Sequence, residues 1–475
     1  MNDTAATDKP KPLTVLIVAD LFPPDINGAA RFAERLAGGL VRRGNNVHII
    51  APSTDGFVGA RTESHDGSDM TVHRLRSSRV PGHETLHYAH FLALKGVARR
   101  ILTEVKPDAV HIQSHFILGR PFVKVAKELG VRVLATNHFM PENMLRYLPV
   151  PGFLQRAGTR WLWNDVGRVL RQADQVTTPT RRAALLLSEK ANVSNVLAIS
   201  CGIDASKFAN NTRISNQPPR ILFLGRLDFE KHIHNLLKAV ALMPRDLGVQ
   251  VEIVGNGGER DHLKSLASQL GIASSVTFAG HITEEELPKA YERATVFAMP
   301  SIAELQSIAT MEAMASGRPV VAADAMALPH LVHHGDNGYL FPPDDVNAFK
   351  DRLLDVLTAD QAELDRLSDN SLHLIQAHDI QTTLAIFEDL YRNDDSREHE
   401  SRDNLSDYTQ AIGILSPAFK ARVQALREGT QELRDFVDEV RDDIRERGLE
   451  VREDIKAANE KVKKAVEKVA KKLRD

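Results

Sequence analysis

The chain is predicted to be α/β, with two doubly wound Rossmann-like halves facing a cleft and a charged helical tail. Three observations predict this. Short continuous apolar runs alternate with amphipathic stretches, as strands buried on both faces alternate with crossover helices. The alternation stops at a polar, proline-ended segment, NNTRISNQPP (210–219), and then restarts. After residue 393 the apolar runs give way to charge. The expected organisation is a disordered N-terminus (1–12), a first domain (13–209), a linker (210–219) and a second domain (220–393) whose last helix packs back on the first. A charged linker (394–416) and an amphipathic helical tail (417–475) follow.

The elements follow in order. LTVLIV (13–18) is an apolar strand, and a loop with Pro23, Pro24 and Gly28 follows it. ARFAERLAGGLVRRG has helical apolar spacing, with Gly44 as its stop. NVHIIAP (46–52) closes a βαβ unit. AVHIQSH (109–115), VRVLATNH (131–138), QVTTPT (175–180) and VLAISCG (196–202) extend one parallel sheet. In the second half, RILFLG (220–225) precedes a helix over 230–242. VQVEIVG (249–255) precedes the helix ERDHLKSLASQLG, and SVTFAG, ATVFAMP and PVVAAD are further strands. Ligands of open parallel sheets sit outside the carboxyl ends of the strands. The loops after Val18, Thr136, Leu224, Val254 and Met299 should therefore line the cleft.

Composition narrows the function. Lys+Arg number 60 against 63 Asp+Glu, a net charge of -3, which argues against a globally basic nucleic-acid binder. The one cysteine, Cys201, cannot form an internal disulfide and reads as a small buried residue in a reducing compartment. No apolar run reaches the roughly 20 residues of a membrane span, and the polar N-terminus lacks a secretory h-region.

The chemistry concentrates in the second half. GRLDFEK (225–231) leaves a strand and enters a helix, placing Arg226 and Lys231 near a helix N-terminus. That arrangement suits a diphosphate. The alternative is a surface ion-pair cluster with Asp228 and Glu230. In PSIAELQSIATMEAMASGRPVVAAD (300–324), Glu304 and Glu312 stand eight apart, slightly over two helical turns. A carboxylate pair can grip vicinal hydroxyls of a sugar or ribose. VGNGG (254–258) is a glycine-rich turn that tight geometry alone would also demand.

The order GRLxxEK, VGxG, PSxxE-x7-E with AMASGxPVVAxD, and HGxNGxLxPPxD resembles the retaining GT-B glycosyltransferases of the large family 4 type. The resemblance covers residues 13–392. FPPDINGAARF resembles the family's N-terminal loop, and TNHFMPEN with ELQSIATMEAMASG resembles the bacterial diacylglycerol glycosyltransferases. It implies that Arg226 and Lys231 neutralise the diphosphate of a nucleotide sugar, that Glu304 holds the transferred sugar and that Glu312 binds the ribose. His138 would face the sugar near the reacting carbon. Gly28 and Gly255 would let backbone approach the donor, the amides of Ser307 and Ile308 would cap the phosphates, and Gln306 would contact sugar or acceptor. The chain departs from the family pattern at Leu305, Gln306 and Ser307, where Gly-Phe-Gly is usual, and in AMALPHLV (325–332), which lacks glycines and a Glu.

The reaction expected is hexosyl transfer from a nucleotide sugar to a lipid such as diacylglycerol, at the cytoplasmic face of the plasma membrane. The donor is a co-substrate, and neither cofactor nor metal is expected, since the chain has no Asp-x-Asp motif. The alternatives are a GDP-mannose-dependent α-mannosyltransferase acting on a glycolipid or soluble acceptor, and a silent GT-B scaffold. Residues 144–171 carry both tryptophans, and Arg160, Trp161 and Trp163 form a candidate contact with an anionic membrane surface. The competing reading is a helix packing its tryptophans inward. The tail could lie on lipid, self-associate through a partner helix or stay solvated.

Overall fold

In this computed structural model the described residues are 11–25, 27–80, 87–142, 152–209, 214 and 218–393, with backbone alone for 152–156. Expectations for residues 1–10, most of the 210–219 linker, the 143–151 stretch and everything from 394 onward lie outside the described residues. The two large sheets and a two-stranded one belong to one compact unit, Met1–Asp395.

The first half contains β1 (Thr14–Val18), α1 (Gly28–Arg42), β2 (Asn46–Pro52), β3 (Gly59–His65), β4 (Ser68–Leu75), β5 (Ser77–Arg79) and β6 (His87–Ala89). It continues with α2 (Leu94–Val105), β7 (Ala109–Ile112), α3 (Gly119–Glu128), β8 (Arg132–Thr136), α4 (Gly152–Leu170), β9 (Gln175–Thr178), α5 (Arg181–Ala191) and β10 (Val196–Ala198). The sheet order is β10-β9-β8-β7-β1-β2-β4-β3. Every pairing is parallel except β3 with β4, so the expectation of a purely parallel sheet needs correcting at this edge. β3 alternates half-buried and exposed residues, so it has no continuous apolar run to betray it.

The second half contains β11 (Arg220–Leu224), α6 (Ile233–Ala241), β12 (Gln250–Val254), α7 (Arg260–Gln269), β13 (Val276–Gly280), α8 (Leu287–Glu292) and β14 (Val296–Met299). Then come α9 (Ile308–Ala315), β15 (Val320–Ala323), α10 (Leu328–Leu331), β16 (Gly338–Phe341), α11 (Val346–Leu357), α12 (Gln361–Leu374) and α13 (Ile380–Arg392). Its sheet, β13-β12-β11-β14-β15-β16, is parallel throughout. The helix expected over 230–242 is broken. A 3-10 turn at Phe229–Lys231 precedes α6, and His232 between them has φ 49°.

Strand order places the site. In each sheet the order reverses beside the first strand of that half: β1 lies between β2 and β7, and β11 lies between β12 and β14. A crevice opens at such a switch point because the flanking crossovers run to opposite sides. The loops after β11 and β14 therefore meet there, and these carry GRLDFEK and PSIAEL.

α13 closes the chain onto the first half. The Tyr391 hydroxyl lies 2.7 Å from His111 Nδ1, and Arg132 donates to Leu390 O at 2.6 Å. Asn45 and Arg43 both reach Glu388, at 2.6 and 2.7 Å. Gly39 of α1 gives Leu384 its place, since a β-carbon there would sit 2.5 Å from the Leu384 side chain. Phe32 and Leu36 of α1 share one apolar core with Phe387 of α13 and Phe223 and Phe297 of the second sheet.

Candidate active site

The site is built from two interlocked loops. Gly225 N donates to Val254 O, Leu227 N to Asn256 O and Glu259 N back to Leu227 O. Gly255 has φ 130°, and a β-carbon on it would stand 1.9 Å from the Gly225 carbonyl oxygen. This close approach is a steric reason for glycine in the VGNGG turn. The loop after β14 docks on the same platform, with Ile302 N donating to Glu230 O at 3.1 Å and Ser301 Oγ to the same carbonyl at 3.3 Å.

That docking brings Lys231 against Glu304. The Lys231 ammonium contacts Glu304 Oε1, and both side chains are largely buried. Arg226 stays on the surface, its side chain 50% exposed, paired with Asp228 at 2.6 Å and Glu230 at 3.4 Å. The ion-pair alternative weighed for Arg226 is thus its arrangement here.

Ser307 caps α9: its hydroxyl accepts from Thr310 N at 3.3 Å, leaving Ile308 to open the helix. α1 opens opposite, capped by Asn27, whose Oδ1 accepts from Ala30 N at 2.9 Å. A β-carbon on Gly28 would be 3.8 Å from Ile308 Cδ1, so the starts of the two helices face each other across the crevice. Their positive ends converge on a place suited to an anion.

Glu312, on the second turn of α9, is 2% exposed and fully engaged. Its Oε1 receives Arg35 of α1 at 2.7 Å, and its Oε2 receives the Tyr291 hydroxyl at 3.0 Å. Burial, then the Glu312 charge, holds the Tyr291 phenol protonated, far above its ordinary range. Arg35 and Tyr291 were invisible as site residues in the sequence, because they belong to no motif and contact Glu312 only through the fold.

Gln306 requires a correction. Its Oε1 accepts from Cys201 N at 2.7 Å, and its Nε2 donates to Ser200 Oγ at 3.0 Å. Both ends of the carboxamide are thereby used in tying the second half to the first. Ser200 Oγ also meets His378 Nδ1 at 2.9 Å, and Thr180 Oγ1 donates to Leu305 O at 2.9 Å. Cys201 sits beneath this tie with its thiol pushed up to about 12 by burial, which excludes a thiolate nucleophile at neutral pH.

His138 follows β8, with Nε2 3.2 Å from Gln113 Oε1 and its ring 4.9 Å from that of Phe32. Burial lowers it to about 4, so the imidazole is neutral at pH 7. Gln113 Oε1 only accepts, which assigns the proton to Nε2. Nearby His115 is buried with neither ring nitrogen partnered.

The membrane-facing triplet is also corrected. Trp161 is 63% exposed and Arg160 is exposed, but Trp163 is 2% exposed and donates Nε1–H to Glu142 at 3.0 Å. Residues 161 and 163 lie about 200° apart around a helix, so they cannot share one face. No helix among the described residues is long and apolar enough to cross a membrane. No three His, Cys, Asp or Glu side chains among them come together as a metal set.

Two family models match the chain in succession: "Glycosyltransferase Family 4" over residues 26–207 and "Glycosyl transferases group 1" over residues 204–373. A GDP-mannose-dependent alpha-mannosyltransferase of Mycolicibacterium smegmatis is 30% identical over 354 residues, 71% of this chain and 86% of that protein. The alpha-monoglucosyldiacylglycerol synthase of Streptococcus pneumoniae is 26% identical over 339 residues, 68% of this chain and 74% of that protein. Among solved structures, sucrose-phosphate synthase from Thermosynechococcus elongatus superposes with TM-score 0.66 at 21% identity, covering 80% of this chain and 98% of that one. Anabaena HepE in complex with UDP and glucose gives TM-score 0.61 at 18% identity, over 80% and 100%. The last two share the two-domain α/β fold.

Proposed function

The chain belongs to the group 1, family 4 glycosyltransferases, and from that premise we propose that it moves a hexose from a nucleoside diphosphate donor to a lipid acceptor. We further propose that transfer proceeds with retention of configuration and without a metal. The observation that carries the reading is the largely buried Lys231–Glu304 contact, formed by the loops after β11 and β14 at the switch point of the second sheet.

Each group then has a role. Glu304 accepts hydrogen bonds from sugar hydroxyls, and Lys231 holds the diphosphate beside it. Arg226 exchanges Asp228 and Glu230 for phosphate, which its exposure permits. The amides of Ser307 and Ile308 complete the phosphate cradle, and Glu312 takes the ribose. As the glycosidic bond breaks, negative charge grows on the leaving phosphate, and preorganised cations and amides stabilise it by ~3–4 kcal/mol per group. The acceptor hydroxyl attacks on the same face and passes its proton to the departing phosphate oxygen. Neutral His138 borders the sugar without adding a charge that would oppose an oxocarbenium-like carbon.

A lipid acceptor is supported by the first half. Phe91 and Leu92 are 72% and 77% exposed beside a cavity of ≈ 430 Å³ lined by Phe91, Leu94, Phe116 and Ile117. Lys95 and Arg120 stand at the cavity, paired there with Glu128 and Asp165. The Phe116 ring meets Phe139, the residue after His138, at 4.7 Å. The protein would then work peripherally at the cytoplasmic membrane face.

A second reading, GDP-mannose-dependent mannosyl transfer, is favoured by the 30% identical relative so named. One screen separates the two: UDP- and GDP-sugars against lipid extracts, with mass detection of product, for wild type and Glu304→Ala. The proposal expects a glycolipid product from wild type alone, with the α anomer kept by NMR and turnover unaffected by EDTA. An inverted anomer would refute retention, and loss of turnover in EDTA would refute metal independence. No glycolipid with any donor would refute the acceptor class.

A further inference from the structure

Arg35 is the residue the proposed chemistry leaves unused, and its surroundings are unusual. It belongs to the first half, yet its Nη2 is spent on Glu312 of the second half at 2.7 Å. Its Nη1 is buried and has no hydrogen-bond partner. A buried guanidinium N–H without an acceptor is costly, so this group is poised for an acceptor on a ligand. Arg35 stands one turn after Arg31 on α1, the helix that starts at Gly28. That start faces Ile308 and the cradle assigned to the diphosphate. One turn earlier, Arg31 also crosses to the second half, meeting Glu284 at 2.6 Å.

A ribose and Arg35 compete for the same carboxylate. Glu312 Oε1 receives Arg35 and Oε2 receives the Tyr291 hydroxyl, so vicinal hydroxyls bound there meet both partners. A ribose that draws Oε1 away frees Nη2 of Arg35 for another acceptor. A guanidinium fork matches phosphate oxygens bidentately.

The geometry points to Arg35 as a donor-binding residue supplied by the opposite domain: it holds Glu312 and turns to the donor diphosphate when the ribose takes its place. This rests on the reading of Glu312 as the ribose acceptor. The exchange couples occupation of the second domain to a new contact from the first, because the N–H that leaves Glu312 becomes available to the phosphates.

The test compares a nucleoside with its diphosphate by isothermal titration on the full chain, using uridine against UDP and guanosine against GDP. In Arg35→Gln, the nucleoside should bind at least as tightly as in wild type, since its competitor for Glu312 is gone. The affinity advantage of diphosphate over nucleoside should fall about 10-fold, the worth of a lost charge-assisted contact. Arg35→Lys keeps a cation opposite Glu312, which guards against misfolding. It should lose less of that advantage, about 3-fold, because a point charge replaces a fork. An unchanged diphosphate advantage in both variants overturns the inference, as does equal weakening of nucleoside and diphosphate. Lys231→Ala distinguishes the two levels. If it abolishes the diphosphate advantage while Arg35→Gln does not, Arg35 alone is misassigned. If neither variant changes it, the phosphate site itself is misplaced.

Discussion

Lys231 has a partner inside the protein as well as the diphosphate proposed for it. Its ammonium is held by Glu304 in a nearly buried contact, so its position is set before a donor arrives. Removing it leaves Glu304 without that cation and, on the proposed reading, the leaving group with one counter-charge fewer. Lys231→Ala should lower the transfer rate by about 10²–10³-fold, measured as product formed at saturating donor. Histidines make a separate prediction. Burial lowers His73, His115, His138, His234 and His378 to about 4 and His111 to about 3, against an ordinary 6.5. Between those values the unfolded chain binds more protons than the folded one, so stability rises with pH across that window. The thermal midpoint should therefore fall steadily as pH drops from 6.5 toward 4. His65, raised by Glu34 and Glu63 against its burial, works in the opposite sense. A midpoint independent of pH over that range would contradict the buried, neutral assignment.

At the scale of elements, the site depends on backbone packing between strand-end loops. Gly255 and Gly257 allow it, since β-carbons would strike Gly225 O at 1.9 Å and Leu227 O at 2.4 Å. Gly255→Ala adds both this clash and a backbone conformation that side chains rarely adopt. It should destabilise by about 3 kcal/mol or more in chemical denaturation, and should misplace Lys231 even where the protein folds. Elements differ in how openly the sequence announces them. β1, β2, β11 and β12 are short, mostly apolar runs, because strands covered on both faces bury most of their residues. β3 was not legible, because it is an edge strand with alternating exposure. β16 was missed as well: GYLF is four residues long and half-buried at its centre, too short for its period to be read. The break at His232 was likewise hidden, since a residue with φ 49° carries no sequence mark when it is not glycine.

Across the whole molecule, the two halves are held by contacts between residues far apart in the chain. Gln306 grips Ser200 and Cys201 from the other domain, and α13 crosses back to fill the groove beside Gly39. Gln306→Ala strands the buried Cys201 N–H and should cost about 1–3 kcal/mol of stability, read from the denaturation midpoint. An unchanged midpoint would mean that water replaces the carboxamide and that the tie is incidental.

The sequence by itself determined the two α/β halves, the family, and the motif positions of Lys231, Glu304 and Glu312. Apolar periodicity is a local property, and the site motifs occupy loops whose ends are set by neighbouring strands. Only the tertiary structure decided which charges meet. It gave Arg226 to Asp228 and Glu230, turned Gln306 into an interdomain tie, buried Trp163 apart from Trp161, and set Arg35 against Glu312 across 277 positions of chain. A charged side chain on a helix has many possible partners within its reach. Which one it takes depends on how closely two sheets approach, and that distance is written in no single stretch of residues.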